Sequence, residues 1–409
     1  MTTARLCPDC DLPVLPQVAE NGQSAYCPRC NARLYRGGSF RFSSEFAIAL
    51  ACLILIVPAH LFPLITIRLF GVMIPATLPS GTLTLAPDFP AVAFLILFCS
   101  SIAPLLVCGS VLSAQIGLRY RRFNLFRRSM WIVTHLKHWA MFDVFLVSLG
   151  ISCFKVQDYA DIFVGPGLYC LVILQVLMAV LLTRVSVSRY WEAWQPETTH
   201  TVNEESLHCH ECHMTQGEND HCVRCGSELH KRLPLSIQKT WAYLIAATVF
   251  IFPANLYPIS IFLNNGKRAE DTIFSGVALL VKTDMLGIAI IIFVASIVVP
   301  VAKILGLAYI LLTIQFKRSI NHLQRMKLYR FIQMIGKWSM MDLFVISIMV
   351  TLIDRDQILD FTPGPGAIAF GVVVVLTMLA AESLDSRLIW DNYEQRTQPT
   401  TTRACKNKA

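Results

Sequence analysis

LGIAIIIFVASIVVPVAKILGLAYILLTI, residues 286–314, decides what kind of protein this is. The run is apolar but for one lysine, Lys303, and is longer than the roughly 20 residues a helix rising 1.5 Å per residue needs to cross a bilayer. Seven more apolar runs read as spans: Phe46–Ile67, Pro90–Leu118, Trp139–Phe154, Pro166–Val185, Trp241–Leu263, Trp338–Ile353 and Gly366–Leu384. Trp139–Phe154 and Trp338–Ile353 are short, while 90–118 and 286–314 must tilt or extend past the lipid. Over 409 residues the chain is 55% hydrophobic and 15% charged, with a mean hydropathy of +0.54. A soluble domain carries nearer a quarter charged residues, so the apolar excess is expected to face lipid. Met1–Asp11 is polar and already holds a cysteine pair, so no cleavable signal segment is expected there.

The chain is written twice. Val57-Pro-Ala-His-Leu-Phe-Pro-Leu64 matches Phe252-Pro-Ala-Asn-Leu-Tyr-Pro-Ile259 after a one-residue slip. Lys137-His-Trp-Ala-Met-Phe-Asp-Val-Phe145 matches Gly336-Lys-Trp-Ser-Met-Met-Asp-Leu-Phe344, and Gly165-Pro-Gly167 matches Gly364-Pro-Gly366. Four spans per half give both halves one orientation, a parallel repeat about an axis along the membrane normal.

The net charge of +8 would suit nucleic acid, but its placement does not. Arg119, Arg121, Arg122, Arg127, Arg128 and Lys137 fill one loop, and Lys317, Arg318, Arg325, Lys327, Arg330 and Lys337 its counterpart. The opposite loops hold only Arg68, Lys155, Lys267, Arg268, Lys282 and Arg355. The positive-inside rule puts both termini and both basic loops in the cytoplasm, with all seven tryptophans on that side; no nucleic-acid partner is expected.

Eight of the 14 cysteines form four CxxC pairs: Cys7/Cys10, Cys27/Cys30, Cys209/Cys212 and Cys222/Cys225. The remainder are scattered: Cys52, Cys99, Cys108, Cys153 and Cys170 in apolar stretches, and Cys405 near the end. Two residues between cysteines let both thiolates of a knuckle face one tetrahedral ion, so each half is expected to begin with a zinc ribbon, one Zn²⁺ apiece. Cytosolic thiols stay reduced, which argues against disulfides, and so short a ribbon would fold only around its metal. Rubredoxin-like iron or dithiol redox chemistry is the competing reading. His208, His210, His213 and His221 crowd the second ribbon and read as loop histidines.

Charges inside a membrane are costly and therefore informative. Lys303 follows Pro300, which kinks its helix, and Asp342 enters the seventh span about one and a half turns past Lys337. Ser296, Ser339, Ser347 and Thr377 fall at similar depth, with Ser339 on nearly the same helix face as Asp342. A Lys303–Asp342 pair among hydroxyls could serve as a proton relay or polar gate, or simply fix helix packing. The first half keeps Asp143 but has Val107 or Cys108 where Lys303 aligns, which suggests a working second module and a scaffolding first one. His60 and Asn255 share one place in the repeat, and the second half lacks the paired intramembrane histidines haem would need. No GKS/T loop, GxSxG elbow or HExxH motif occurs, so ATP-driven transport or hydrolysis by this chain, and enzymatic activity generally, is not expected.

The expected layout is an all-α integral membrane protein: ribbon 1 over 1–40, module 1 over 41–195, ribbon 2 over 196–232, module 2 over 233–390 and a disordered tail over 391–409. The cysteine pairs, the P-A-[HN]-L-[FY]-P and W-x-M-x-D segments and the G-P-G turns together resemble the paraquat-inducible protein A family, from Cys7 to about Trp390. The resemblance implies a multi-pass bacterial inner-membrane component of an envelope lipid-trafficking system. Members work with a periplasmic tunnel protein built of tandem MCE domains and hand phospholipid to it or take it back. It also carries a polar network onto Ser296, Lys303, Ser339, Asp342 and Thr377, and metal ligation onto the eight paired cysteines. Against this stands a metal- or redox-responsive membrane scaffold whose ribbons are the working part.

Overall fold

The computed structural model describes residues 5–15, 20, 23–37, 42–69, 72–156, 161–195, 206–264, 267–282, 286–317, 321–353, 359–394, 403–404 and 406–408. The linker 196–205, Arg318, Arg355 and Cys405 lie outside them. The helices run in the same order twice. Module 1 has α1 (Phe42–Leu61), α2 (Ser80–Leu85), α3 (Pro90–Arg119), α4 (Phe123–Leu136), α5 (Phe142–Val156), α6 (Pro166–Arg184) and α7 (Val187–Trp194). Module 2 repeats them as α8 (Ser236–Leu256), α9 (Ile273–Lys282), α10 (Leu286–Gln315), α11 (His322–Ile335), α12 (Met341–Ile353), α13 (Pro365–Ser383) and α14 (Leu388–Glu394). Among the described residues seven helices are long and apolar enough to cross a membrane, one of them running from His322 to Thr351. The third expected span is the shorter apolar helix Phe142–Phe154.

Prolines set the helix boundaries. Pro90, Pro166 and Pro365 open α3, α6 and α13, where a missing N–H is no loss. In both long helices the chain widens into a π turn, Phe98–Ile102 and Val294–Val298, just before Pro104 and Pro300. The wider turn accommodates a proline that cannot donate back up the helix.

The two repeated signatures explain each other. The Gly165 N–H donates to Leu64 O at 2.9 Å and the Gly167 N–H to Pro63 O at 3.0 Å. Gly364 and Gly366 repeat this on Ile259 O at 2.9 Å and Pro258 O at 3.1 Å. Each G-P-G turn therefore seats the start of one span on the end of another, α6 on α1 and α13 on α8. His60 and Asn255 interchange for a similar reason: His60 Nδ1 lies 2.7 Å from Ile56 O, and Asn255 Nδ2 donates to Ile251 O at 2.8 Å.

At the end away from the cysteines the fold is not all helix. Strands β5 (Ile65–Leu69), β6 (Val72–Ala76) and β7 (Asp161–Val164) form one three-stranded antiparallel sheet, in order β6-β5-β7. Strands β10 (Ser260–Asn264), β11 (Lys267–Asp271) and β12 (Leu359–Pro363) form its repeat, β11-β10-β12. The sequence reading extends the first and fifth spans through Ile67 and Leu263, whereas their helices end at Leu61 and Leu256. Ile65-Thr66-Ile67-Arg68 alternates, and β-branched residues with a two-residue period make a strand there. The basic loops are also mostly helical, as α4 and α11.

The modules meet through α5 and α12, whose Phe145 and Phe344 rings pack edge to face with centroids 5.6 Å apart. The Ser148 hydroxyl donates to Met341 O at 3.0 Å across the same seam.

The two cysteine-bearing units cross over. The first unit, with strands β1 (Arg5–Leu6), β2 (Pro13–Leu15), β3 (Ser24–Tyr26) and β4 (Arg33–Arg36), shares one apolar core with Leu307, Ile310, Tyr329 and Trp390 of module 2. Arg330 donates to Asp9 at 2.8 Å and to Cys30 O at 2.9 Å, and the Arg29 guanidinium lies 4.6 Å from the Trp390 ring. Arg232 pairs with both Asp11 and Asp391. The second unit, with strands β8 (Leu207–His208) and β9 (Thr215–Gln216), joins the core that contains Met130 and Trp191 of module 1, and Glu211 reaches His135 of α4 at 4.0 Å.

Parts of the tail expected over 391–409 carry regular structure. Residues 391–394 belong to α14; β13 (Arg403–Ala404) pairs parallel with β2, and β14 (Lys406–Lys408) antiparallel with β3. Short hairpin strands leave unpaired edges that a nearby chain end can satisfy.

Arg387 and Asp385 lie beneath this junction, each side chain 2% exposed and joined at 3.0 and 2.8 Å. Burial opposes ionisation of Asp385, but the Arg387 guanidinium and the N–H groups of Leu233 and Arg387 outweigh it and hold the carboxyl below its usual range. Arg387→Met should leave that carboxylate buried without its cation, costing about 3–5 kcal/mol. Limited proteolysis of the first unit reports it: cleavage should accelerate at least tenfold, and an unchanged rate would show the pair is dispensable.

Candidate functional site

The four knuckles share one backbone form. The N–H of Cys7, Cys27, Cys209 and Cys222 donates to the carbonyl five residues on, at Leu12, Ala32, Met214 and Ser227 (2.8–3.0 Å). The residue after each pair's second cysteine turns left-handed: Asp11 (φ 53°), Asn31 (57°), His213 (58°) and Gly226 (69°). That turn points both thiols of a pair inward, a conformation Asp, Asn and Gly tolerate best.

The knuckles then close into two tetrads. Cys7 and Cys30 sulfurs lie 3.6 Å apart, as do Cys10 and Cys27; in the second unit Cys209–Cys225 and Cys212–Cys222 are each 3.5 Å. Within each tetrad all four sulfurs fall within 4.8 Å of one another and all are buried. These spacings are far beyond the roughly 2.05 Å of a disulfide, and near the edge of about 3.8 Å of a tetrahedron with 2.3 Å Zn–S bonds. Hydrogen bonds among the crowded sulfurs drive Cys27 and Cys209 down and Cys10 and Cys212 up. The Ser227 hydroxyl sits 2.8 Å from Cys225 and 3.3 Å from Cys209, placed to support the thiolates. His208 and His213 are packed side chains outside the tetrad, ring centroids 5.3 Å apart; burial pushes His213 down to about 4 and His208 well below its usual value.

The polar cluster of module 2 forms where α10, the 3-10 turn Gly336–Met340, α12 and α13 pack together. Lys303 is 1% exposed, and its ammonium donates to Thr377 Oγ1 at 2.7 Å, which in turn donates to Val374 O at 3.0 Å. Ser296 lies in the π turn and donates to Ile292 O at 2.7 Å. Ser339 is 1% exposed, and its Oγ has no hydrogen-bond partner among the described residues. Asp342, also buried, begins α12 one turn on. One hydrogen bond of the Lys303 ammonium thus runs to Thr377, a member of the polar set that the sequence singles out.

Module 1 carries different chemistry at the same places. Matching Pro104 to Pro300 sets Val107 against Lys303, and matching Gly165 to Gly364 sets Met178 against Thr377. Both members of the Lys–Thr pair are thus apolar there, and the Cys108 thiol contacts Met178 Sδ at 3.6 Å. Ser100 and Asp143 keep the places of Ser296 and Asp342. Sequence reasoning missed a second buried set, in which Gln115 Nε2 donates to Tyr190 OH at 2.8 Å and Tyr190 to Glu45 at 2.5 Å. A lone glutamate in the first turn of a span was the available signal.

A two-module polytopic membrane protein with paired sulfur tetrads and a lysine buried within a candidate span is the class these features define. The family model for paraquat-inducible protein A matches residues 42–195 and 237–394, one match per module. The chain belongs to that family. It is 41% identical to the lipophilic envelope-spanning tunnel protein A of Escherichia coli over 95% of this chain and 91% of that one. It is 34% identical to a probable intermembrane transport protein of Haemophilus influenzae (95% and 96%) and 28% identical to the intermembrane transport protein PqiA of Escherichia coli (94% and 95%). No solved structure matches it.

Proposed function

We propose that this protein is the inner-membrane component of a bacterial envelope lipid-transport system, with both termini and both cysteine units in the cytoplasm. It passes phospholipid to or from a periplasmic tunnel protein built of MCE domains. The observation that carries the reading is Lys303, a cation held at 1% exposure inside a candidate span with its ammonium hydrogen-bonded to the Thr377 hydroxyl, in a chain whose relatives are named as an envelope-spanning tunnel protein and an intermembrane transport protein. An ammonium so placed is costly to keep charged, so protonation there can favour one helix arrangement over another. Ser296, Ser339, Asp342 and Thr377 supply the groups through which a proton, or a lipid headgroup, would be passed. The tetrads fit Zn²⁺ in donor type, number and spacing, and would serve as metal-held folding units rather than as reaction centres. No enzymatic role is assigned.

Lys303→Met and Asp342→Asn test the proposal. Each should lower phospholipid transfer between inner-membrane vesicles and an MCE-domain acceptor at least tenfold, with membrane insertion and protein level unchanged. Transfer that survives both changes removes the polar cluster from the mechanism. The scaffold reading rests on the tetrads alone; it would gain if cysteine variants inserted normally yet lost all activity while Lys303→Met kept it.

A further inference from the structure

We propose that module 1, which lacks the lysine, holds a binding site for one acyl chain of a phospholipid at the end of the fold opposite the cysteines. A cavity of about 690 Å³ opens there between α5, the sheet strand β7 and the start of α6. Ile65, Leu149, Cys153, Phe163 and Leu168 line it, and Asp161 is the one charged residue of the lining. Its volume falls within the range of small-molecule sites, and its composition, mostly apolar with one polar group, is theirs as well.

Gly150 is what keeps the space open. A Cβ built there meets nothing within 4 Å, although the residue sits in a helix, where alanine is favoured over glycine. In the register that sets Asp143 against Asp342, module 2 has Met349 at this place, its side chain buried. Module 2 thus has a buried methionine side chain at the place that Gly150 leaves empty in module 1.

Two observations select the occupant. Phe154 and Phe163, 54% and 46% exposed, form the rim, so the opening is apolar and lies at the end of an expected span, where acyl chains meet headgroups. The described residues of the lining include no lysine or arginine to receive a free phosphate or carboxylate, and Asp161 at its edge stands opposite Arg68 in the β5–β7 pairing. A chain drawn in past the phenylalanines leaves its headgroup outside, beside Asp161 and Arg68, two opposite charges that suit a zwitterionic headgroup. The site rests on the lipid-transport reading and extends it: module 1 receives the chain, and module 2 carries the polar cluster.

The test uses the full protein in nanodiscs of phosphatidylethanolamine and phosphatidylglycerol doped with a phospholipid carrying a mid-chain diazirine. After irradiation, adducts should concentrate at least tenfold on peptides holding Leu149, Cys153 and Phe163, relative to the exposed Ile54 of α1 and Val176 of α6. Gly150→Trp, and Gly150→Leu as a milder filler, should remove that excess while labelling of Ile54 and Val176 and the melting temperature stay as in the parent. Even labelling of all exposed apolar faces, or an excess that survives Gly150→Trp, overturns the site. Lys303→Met separates the two claims: it should abolish transfer yet leave the cavity labelled. Transfer that persists there would remove Lys303 from the mechanism, and absence of transfer by the parent protein would defeat the transport reading, neither touching the labelling result.

Discussion

Alanine at Gly364 is expected to abolish accumulation of folded protein. The glycine's backbone is ordinary, with φ −91° and ψ 169°, so torsional strain is not the reason. The reason is space: a Cβ at this position would lie 2.0 Å from Pro258 O and 2.8 Å from Pro258 C. Neither atom belongs to a side chain that can turn aside. Relief requires breaking the Gly364 N–H bond to Ile259 O and shifting the adjacent Ser260–Pro363 pairing of β10 and β12. Overpacking against movable side chains costs about 1–3 kcal/mol, so a clash with fixed backbone should reach or exceed the upper end. Gly165→Ala should do the same to module 1, its Cβ falling 2.1 Å from Pro63 O. Gly109→Ala is the control, because nothing lies within 4 Å and alanine favours a helix interior. Fluorescence-detected gel filtration of solubilised membranes gives the answer. A monodisperse Gly364→Ala peak at parental height would mean the turn does not hold the helices together.

Serine at Cys27 should lower the metal content from two ions per chain to one and loosen the module that is distant in sequence. Structural zinc in small domains binds with about 10–16 kcal/mol, most of which is their folding energy, so losing one of four thiolates unfolds the unit. The first unit packs on α11 and α14 through Asp9, Arg29 and Asp11, and its loss bares Arg330 and Trp390. Amide hydrogen exchange should then accelerate in α11 and α14 at least tenfold while α4 stays protected. Cys222→Ser should give the mirror result, with α4 exposed and α11 quiet. Elemental analysis of the parent also decides zinc against iron. Two ions retained in Cys27→Ser, or exposure of α4 instead of α11, would refute the assignment.

Much of this was legible because it is written in residue types with few alternative uses. Apolar runs, opening prolines and paired cysteines fixed helices, boundaries and tetrads, and the repeated signatures marked the turns on which the modules close. What stayed hidden depended on contacts between ordinary residues. Asp9, Asp11, Arg330 and Arg387 are common surface types, and nothing in their spacing tells that they meet across three hundred positions. Thr377 is among the hydroxyls that the sequence singles out, but its bond to Lys303 depends on how α10 and α13 rotate against each other. The small sheets were absorbed into neighbouring apolar runs, since Ile65 and Ile67 serve a helix and a strand equally well in a hydropathy count.

The crossed seating of the two cysteine units also sets a schedule for synthesis. The first unit leaves the ribosome long before the helices it rests on exist, because Arg330, Arg387 and Trp390 follow Cys30 by 300, 357 and 360 residues, about 15–70 s at typical elongation rates. During that interval it must stand alone, and the proposed ion would let it do so. The second unit, by contrast, emerges after α4 and can seat as it appears. A chain cut between the modules would therefore yield two pieces, each carrying the unit that the other needs. Such halves should reassemble by exchanging them, and neither should be stable when made by itself.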